Sequence, residues 1–263
     1  MRSLALLLAV GGAFWPVAYW VALRTRYASE DRWALLAWVA WAAAVVLSRA
    51  RPDRPRTLAG PALLVLGAAF AQPDLPPLVS AVVAVVALTW TASLLRTDRR
   101  FSLPLFGLGL LGLPLVSMFQ YHLGLPLRVA TTEAAAFLLR LGGHTVIADG
   151  TCLSQGVTRV WVDPPCSGLT MLWTALFATC IAGVVWKSTP REFAIGSVFA
   201  VLLVLAANAL RAATLFLYET RPVGLPDWTH DGVGLVLQAV VIALVAVFLQ
   251  PRTTTRWSRP ACS

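Results

Sequence analysis

Apolar residues in this chain are collected in long runs that are separated by short polar gaps. An α-helix needs roughly 20 apolar residues to cross a bilayer, so the pattern predicts about eight membrane-spanning helices. The second and third runs are the shortest of them. The predicted spans cover residues 4–23, 33–48, 58–71, 78–95, 101–118, 166–186, 192–218 and 232–249.

Composition supports the same class, an all-α polytopic membrane protein. Hydrophobic residues make up 58% of the 263 positions and charged residues only 13%, which is far too apolar for an ordinary soluble domain. The net charge of +9 does not indicate binding to nucleic acid, because the basic residues lie in the gaps between the apolar runs. The first run is too long for the apolar core of a signal peptide, so we expect it to be kept as an anchor.

The distribution of basic residues predicts the orientation of the chain. If the N-terminus is cytoplasmic, most Lys and Arg residues fall in cytoplasmic segments, as the positive-inside rule requires. Both termini are then cytoplasmic. Residues 1–250 form one membrane domain, and residues 251–263 form a basic cytoplasmic tail. The basic residues assigned to the inside are Arg2, Arg49, Arg51, Arg54, Arg56, Arg96, Arg99, Arg100, Lys187, Arg191, Arg252, Arg256 and Arg259.

One long segment, residues 119–165, falls on the outer side in this topology. Residues 131–133 are typical of a helix start, and the apolar stretch 134–141 ends at two glycines. This helix is too short to span, so we expect it to lie along the outer interface. Two glycine turns and an alternating pattern within residues 145–162 predict a small β-hairpin directly before the sixth span.

A cysteine opens the sixth span. Cys166 follows Pro164 and Pro165, and because proline cannot continue a helix backwards, the helix is expected to begin at or just after Pro165. Cys166 would then lie in the first turn, where N–H groups and the helix dipole favour a thiolate. Ser167 and Gly168 add little bulk, which would let a substrate backbone approach. On this stretch alone, a buried cysteine that only packs is the more common explanation.

Two further candidate positions lie at the outer ends of spans. Arg211 is roughly 29 Å above residue 192 by helical rise, at the outer edge of the seventh span, and Asn208 lies on the same helix face. His230 and Asp231 stand where the eighth span begins, also on the outer side. Taken singly, an arginine that snorkels to the headgroups and an interfacial histidine are sufficient explanations.

The three residues become more informative together. Cys166, Arg211 and His230 come from three different spans, and the predicted topology brings them to one membrane level. Acyl transfer from an amide needs a nucleophile, a proton carrier and a group that stabilises the oxyanion. A thiol, an imidazole and a guanidinium supply these roles, so the set predicts cysteine acyl-transfer chemistry at the outer surface.

Three short motifs carry a resemblance to a known family. In this order, Cys-Ser-Gly at 166–168, Asn-x-x-Arg at 208–211 and His-Asp-x-x-Gly at 230–234 resemble the exosortase/archaeosortase family. The motif-bearing core is residues 100–250, and before it the resemblance rests on span count and composition. Pro165 departs from the family pattern, in which a small residue such as alanine is expected.

The resemblance implies a membrane-embedded cysteine protease-transpeptidase of the plasma (inner) membrane, with its active site on the extracytoplasmic side. Such enzymes act on exported proteins with a PEP-CTERM-type sorting signal, which is a short motif, a membrane helix and a basic cluster. By this analogy Cys166 is the nucleophile, Arg211 stabilises the oxyanion and His230 is the general acid and base. Asn208 would orient Arg211, and Asp231 adjoins His230 without forming a triad. The implied partners are these proteins, membrane lipid and an acceptor such as a polysaccharide or a lipid-linked group.

Several alternatives stay open. His122 or His144 in the outer segment could replace His230 as the base, and Cys152 could form a disulfide with Cys166. A peptidase that only hydrolyses would use the same residues. A transporter or a non-enzymatic membrane subunit is disfavoured, because no charged residue lies at the midplane of the spans.

No cofactor or metal is predicted. The four cysteines have no CxxC spacing and form no ligand cluster with histidine. Cys180 is expected to pack in the core, and Gln238 is expected to hydrogen-bond between helices.

Overall fold

The computed structural model describes residues 2–48, 57–71, 75–97, 99–220 and 228–251, and of residues 2, 3, 229 and 230 it describes only the backbone. The predicted tail after residue 251 and the basic loop at residues 49–56 lie outside this part of the chain. The described helices are α1 (Arg2–Ala13), α2 (Trp15–Tyr27), α3 (Trp33–Leu47), α4 (Ala59–Ala71), α5 (Pro77–Arg96), α6 (Leu103–Leu111), α7 (Val116–Leu141), α8 (Leu169–Val185), α9 (Pro190–Glu219) and α10 (Trp228–Leu249).

The helices confirm a polytopic helical architecture. Three of those described are long and apolar enough to cross a membrane, namely α5, α9 and α10, and they match the predicted fourth, seventh and eighth spans. Two bent pairs, α1 with α2 and α6 with α7, raise the number to five if each pair is one span. α4 and α8 are apolar but shorter. The described helices thus account for three to five of the predicted spans.

Prolines mark the two bends. The helix axis turns by 75° between α1 and α2, where Pro16 lies in the first turn of α2. It turns by 88° between α6 and α7, where Pro114 lies in the connection. Proline has no N–H to donate, so a preceding carbonyl loses its helical partner. At the second bend, Trp173 Nε1 donates to Leu111 O at 3.3 Å and replaces one lost hydrogen bond.

The prediction of a separate short interfacial helix at residues 134–141 is wrong, because these residues form the end of a longer helix. α7 is one continuous helix of 26 residues that includes Pro126. Polar residues such as Gln120 and Thr131 interrupt the apolar pattern of this segment, which is why the sequence placed residues 119–133 outside the membrane and a helix start at residues 131–133. In the folded chain these two side chains are internal hydrogen-bond partners instead.

The predicted β-hairpin is confirmed, with one additional strand. β1 (Ile147–Asp149), β2 (Cys152–Gln155) and β3 (Thr158–Trp161) form an antiparallel sheet in the order β1-β2-β3. Leu153 and Val160 are buried and belong to one apolar cluster with Leu139 of α7, Phe216 of α9 and Cys166. The sheet is therefore fixed to two helices immediately before the chain reaches the cysteine.

Contacts between distant segments sort the helix ends into two groups. Arg96 Nε donates to Val45 O at 3.0 Å, and Arg99 Nη2 donates to Lys187 O at 2.6 Å. Arg96, Arg99 and Lys187 belong to segments that the sequence assigns to the inside, and Val45 lies near the inner end of the second predicted span. At the opposite end, Ser117 N donates to the buried carboxylate of Asp31 at 3.1 Å, which joins the outer end of the fifth predicted span to a segment assigned to the outside.

The last three helices pack against one another around an apolar cluster that includes Ala175, Ala200, Val204 and Val241. α9 and α10 run antiparallel and approach closely at two glycines. A Cβ on Gly196 would lie 2.5 Å from the Leu249 side chain, and one on Gly234 would lie 3.1 Å from Arg211 Nε. These approaches bring the C-terminal half of α9 beside the first turns of α10.

Candidate active site

Cys166 lies in a short turn that precedes α8. Residues Pro164–Ser167 form a single 3₁₀ turn in which Cys166 N donates to Asp163 O at 2.8 Å. Gly168 then adopts φ +80°, and the α-helix begins only at Leu169. The sequence placed the helix start at or just after Pro165, which is up to about one turn too early. Two prolines favour a tight turn here, and the left-handed glycine separates that turn from the helix.

The Gln120 side chain of α7 bridges the two sides of this turn. Gln120 Nε2 donates to Pro164 O at 3.0 Å, and Ser167 Oγ donates to Gln120 Oε1 at 3.0 Å. Pro164 lies two residues before the cysteine, and Ser167 lies one residue after it. One amide therefore fixes both ends of the segment that carries the thiol.

Asn208 of α9 holds the middle of the same turn. Its Nδ2 donates to Cys166 O at 2.9 Å and to Thr131 Oγ1 of α7 at 3.0 Å, and only 3% of the residue is exposed. A Cβ on Gly168 would lie 2.9 Å from this nitrogen, so glycine permits the approach. The expectation that Asn208 orients Arg211 is wrong, because the amide donates to Cys166 and Thr131 instead.

Arg211 lies one turn further along α9 and reaches α10. Its guanidinium packs over Gly234, where a Cβ would lie 3.1 Å from Nε and 3.2 Å from Cζ. Arg211 Nε is buried and has no hydrogen-bond partner among the residues that the structure describes. An unpaired buried donor is costly in a folded protein, so this N–H is suited to a negatively charged group that arrives later.

The backbone of α10 carries His230 and Asp231 in its first turn. Position 230 is four residues before Gly234, which is about one helical turn, roughly 6 Å along the axis, and on the same helix face. The His230 side chain lies outside the described residues, so its distance from Cys166 stays a prediction. Asp231 is exposed, and its negative charge acts on the Cys166 thiol.

Burial raises the pKa of the Cys166 thiol above its ordinary value. The Arg211 guanidinium opposes this effect, whereas the carboxylates of Asp163, Glu219 and Asp231 add to it. The expectation of a thiolate favoured by a helix N-terminus is therefore wrong. Because the turn separates Cys166 from the helix and buries it, the thiol is protonated at rest and needs a base to become a nucleophile.

The alternative residues have other surroundings. His122 is exposed and lies edge-on against Tyr121, with ring centroids 4.9 Å apart. His144 follows α7, and its backbone N–H donates to Leu139 O. Cys152 and Cys166 are both thiols in this structure, so the alternative of a disulfide between them is not formed.

Two minor expectations have different outcomes. Cys180 is buried in an apolar cluster with Leu105 and Trp41, as predicted. The prediction that Gln238 hydrogen-bonds between helices is wrong, since both polar atoms of its amide are buried without a partner among the described residues. In the same part of the chain, no group of three or more His, Cys, Asp or Glu residues could hold a metal ion.

Sequence reasoning missed Gln120 and Thr131, and it noted Gly234 without a role. Gln120 and Thr131 were assigned to a polar outer segment, because nothing in their local pattern distinguishes a buried contact from a solvated one. A usable signal was present for Gly234, because a glycine four residues after His230 marks a close approach on the same helix face.

Comparison with known proteins gives one match. A protein-family model described as "Transmembrane exosortase" matches residues 8–247, which is nearly the whole chain. No curated protein and no solved structure matches the chain.

Proposed function

Because the chain belongs to the transmembrane exosortase family, we propose that it is a membrane cysteine protease-transpeptidase. It cleaves C-terminal sorting signals of the PEP-CTERM type from exported proteins and transfers the retained part to an acceptor. Such an acceptor is a polysaccharide or a lipid-linked group. The roles of the family's motif residues are assigned to the matching residues of this chain, and the geometry around Cys166 supports this assignment.

The reaction proceeds in two halves. His230 takes the proton from the Cys166 thiol, and the sulfur attacks the scissile carbonyl carbon. The oxygen of the tetrahedral intermediate carries a negative charge, which the Arg211 guanidinium stabilises. The C–N bond then breaks, and the leaving amine takes the proton from His230. The acceptor nucleophile attacks the carbon of the thioester that remains on Cys166 and gives its proton to His230. The C–S bond then breaks, and the released Cys166 thiolate takes that proton back.

One observation carries this proposal. Asn208 binds the carbonyl of Cys166, and Arg211, one turn later on the same helix, packs over Gly234 of α10. The helices that bear the three motifs therefore meet at one level. A buried thiol on which the Arg211 charge acts, together with an Arg211 Nε–H that has no partner among the described residues, suits a reaction in which the anion forms only during catalysis.

The topology proposed for this function has about eight spans with both termini in the cytoplasm and the cysteine at the extracytoplasmic surface. A substrate whose own helix lies in the bilayer would present its motif at that surface. Confinement to the membrane supplies proximity without a deep pocket. Residues 1–250 act as a single catalytic domain.

Alanine variants test the three assigned roles. The assay uses a tagged exported reporter that ends in a short motif, a membrane helix and a basic cluster. We expect Cys166→Ala to abolish processing and Arg211→Ala to lower its rate by roughly 10²–10³-fold. His230→Ala should lower it by about 10²–10⁴-fold. Immunoblots of membrane fractions measure processing and confirm that each variant is inserted.

Matched variants make this test specific. Cys152→Ala, Arg159→Ala and His144→Ala remove residues of the same three types from the outer segment and should process the reporter normally. Processing by Cys166→Ala, or a loss in His144→Ala with none in His230→Ala, would contradict the assignments. Mass spectrometry of the product C-terminus distinguishes hydrolysis, which leaves a carboxylate, from transfer, which leaves an attached group.

A further inference from the structure

We propose that Gln120 is a positioning residue for Cys166. Its side-chain amide holds the turn in the conformation in which the sulfur reacts. The role in the reaction rests on the function proposed above, but the hold on the turn can be measured on the thiol itself, without any substrate.

The amide of Gln120 matches the turn in both polarity and spacing. A carboxamide carries a donor and an acceptor on one carbon, and the turn offers an acceptor at Pro164 O and a donor at Ser167 Oγ. Both contacts are 3.0 Å long. No other residue type of this length supplies one donor and one acceptor in this arrangement.

The Ser167 hydroxyl is the donor in one of these two hydrogen bonds. It donates to Gln120 Oε1, and Ser167 Oγ accepts from the Leu169 N–H at 3.5 Å. The hydroxyl therefore links the α7 amide to the first residue of α8. The side chain next to the cysteine is a structural link rather than a second nucleophile.

The helix that carries Gln120 is itself fixed. Ser117, three residues earlier and on the same face, donates its N–H to the fully buried Asp31. Further along α7, Thr131 accepts from Asn208, which also holds the Cys166 carbonyl. Gln120 thus transmits the position of an anchored helix to the turn.

Loss of the amide should have two opposite effects. Without Gln120 the turn samples other conformations, so the sulfur spends less time in line with a substrate carbonyl and processing slows. The same freedom exposes a thiol that is now only 9% exposed, so a small alkylating reagent reaches it more readily. A general loss of folding would instead expose the buried thiols of Cys152 and Cys180 as well.

The experiment compares Gln120→Leu with Tyr121→Leu in the full-length protein in membranes. Tyr121 is the neighbouring residue on α7 and is 84% exposed. Iodoacetamide labelling over time is quantified for each cysteine by mass spectrometry. We expect Gln120→Leu to raise the rate at Cys166 by roughly tenfold, the effect of losing two ordinary hydrogen bonds, with Cys152 and Cys180 unchanged. Tyr121→Leu should leave all three rates unchanged.

A second pair tests the chemistry of the contact. Ser167→Ala removes one of the two hydrogen bonds and should raise Cys166 labelling by a smaller factor than Gln120→Leu. Combining both changes should add little to Gln120→Leu alone, because the two residues share one contact.

Reporter processing then tests the catalytic consequence. Gln120→Leu should lower kcat by roughly tenfold while KM changes less than about twofold, because positioning acts on the reacting atoms and not on binding. Unchanged Cys166 labelling, or an equal rise at all three cysteines, would overturn the proposal. If the wild-type chain processes no reporter, the proposed function fails while the labelling result still decides whether Gln120 holds the turn.

Discussion

At the scale of single residues, burial of Cys166 is opposed by the positive charge of Arg211. Burial and the carboxylates of Asp163, Glu219 and Asp231 raise the pKa of the thiol, and the Arg211 guanidinium lowers it. A protonated thiol does not alkylate or oxidise readily. The buried thiol is therefore unreactive until a base removes its proton.

This balance predicts the pH dependence of Cys166 labelling. Since only the thiolate reacts, the rate rises with pH through the pKa, and the midpoint should lie above that of an ordinary cysteine. Arg211→Gln removes a positive charge that favours the thiolate, so the midpoint should move to still higher pH, whereas Arg211→Lys should stay close to wild type. Rates of iodoacetamide labelling at a series of pH values, resolved by mass spectrometry, measure both shifts. A midpoint at or below the ordinary value would contradict the account.

Residue types with reactive groups were predictable, but their supporting contacts were not. Cys166, Arg211 and His230 were singled out because the predicted topology brings a thiol, a guanidinium and an imidazole to one membrane level, where together they supply the groups that acyl transfer needs. Gln120 does not stand out, because its partner Ser167 is 47 positions away in the chain. A local pattern carries no information about a contact over such a separation.

At the scale of elements, the site depends on how closely α9 approaches the cysteine turn. The approach occurs at Gly168, whose φ of +80° is left-handed and whose missing Cβ leaves room for the Asn208 amide. The sequence suggested that Gly168 admits a substrate backbone. The structure fills that space with a side chain of the protein itself, so the glycine serves packing between elements.

Gly168→Ala should therefore destabilise the site by more than the backbone strain of a left-handed alanine alone would explain. A left-handed alanine costs roughly 1–2 kcal/mol, and the added Cβ would also displace Asn208 from the Cys166 carbonyl, which costs about 1 kcal/mol more. Gly143→Ala is the matched control, because Gly143 has φ +85° and nothing within 4 Å of its Cβ position. Thermal unfolding in detergent and reporter processing measure the difference. Equal stability losses, or normal processing by Gly168→Ala, would show that the approach of Asn208 is unimportant.

The elements themselves were predicted unevenly for a physical reason. Long uninterrupted apolar runs gave α5, α9 and α10, because burial in lipid and helical hydrogen bonding both favour a single straight helix. The bend before α7 and the length of α7 were missed. Both depend on tertiary partners, such as Asp31 at the helix start and the contacts of Gln120 and Thr131, which offset the effects of proline and of polar residues in the helix.

At the scale of the whole molecule, the chain concentrates basic contacts at one end and the reactive residues at the other. Arg96 and Arg99 bind backbone carbonyls of segments assigned to the inside, while Cys166, Asn208 and Arg211 gather at the opposite end. α7 and the small sheet are fixed to this second end. In the function proposed above, this arrangement would hold the nucleophile at one surface while the bilayer orients the substrate.

The central claim is that the Cys166 sulfur forms a thioester with the substrate, and trapping this intermediate tests it most directly. Purified full-length protein in lipid vesicles is mixed with the reporter, quenched in acid and digested, and the peptide that contains Cys166 is analysed by mass spectrometry. The account predicts an adduct of the retained reporter segment on Cys166. Neutral hydroxylamine should release the adduct as a hydroxamate, and Cys166→Ala should not form it. Cleavage of the reporter with no adduct on Cys166 and no hydroxamate product would contradict it.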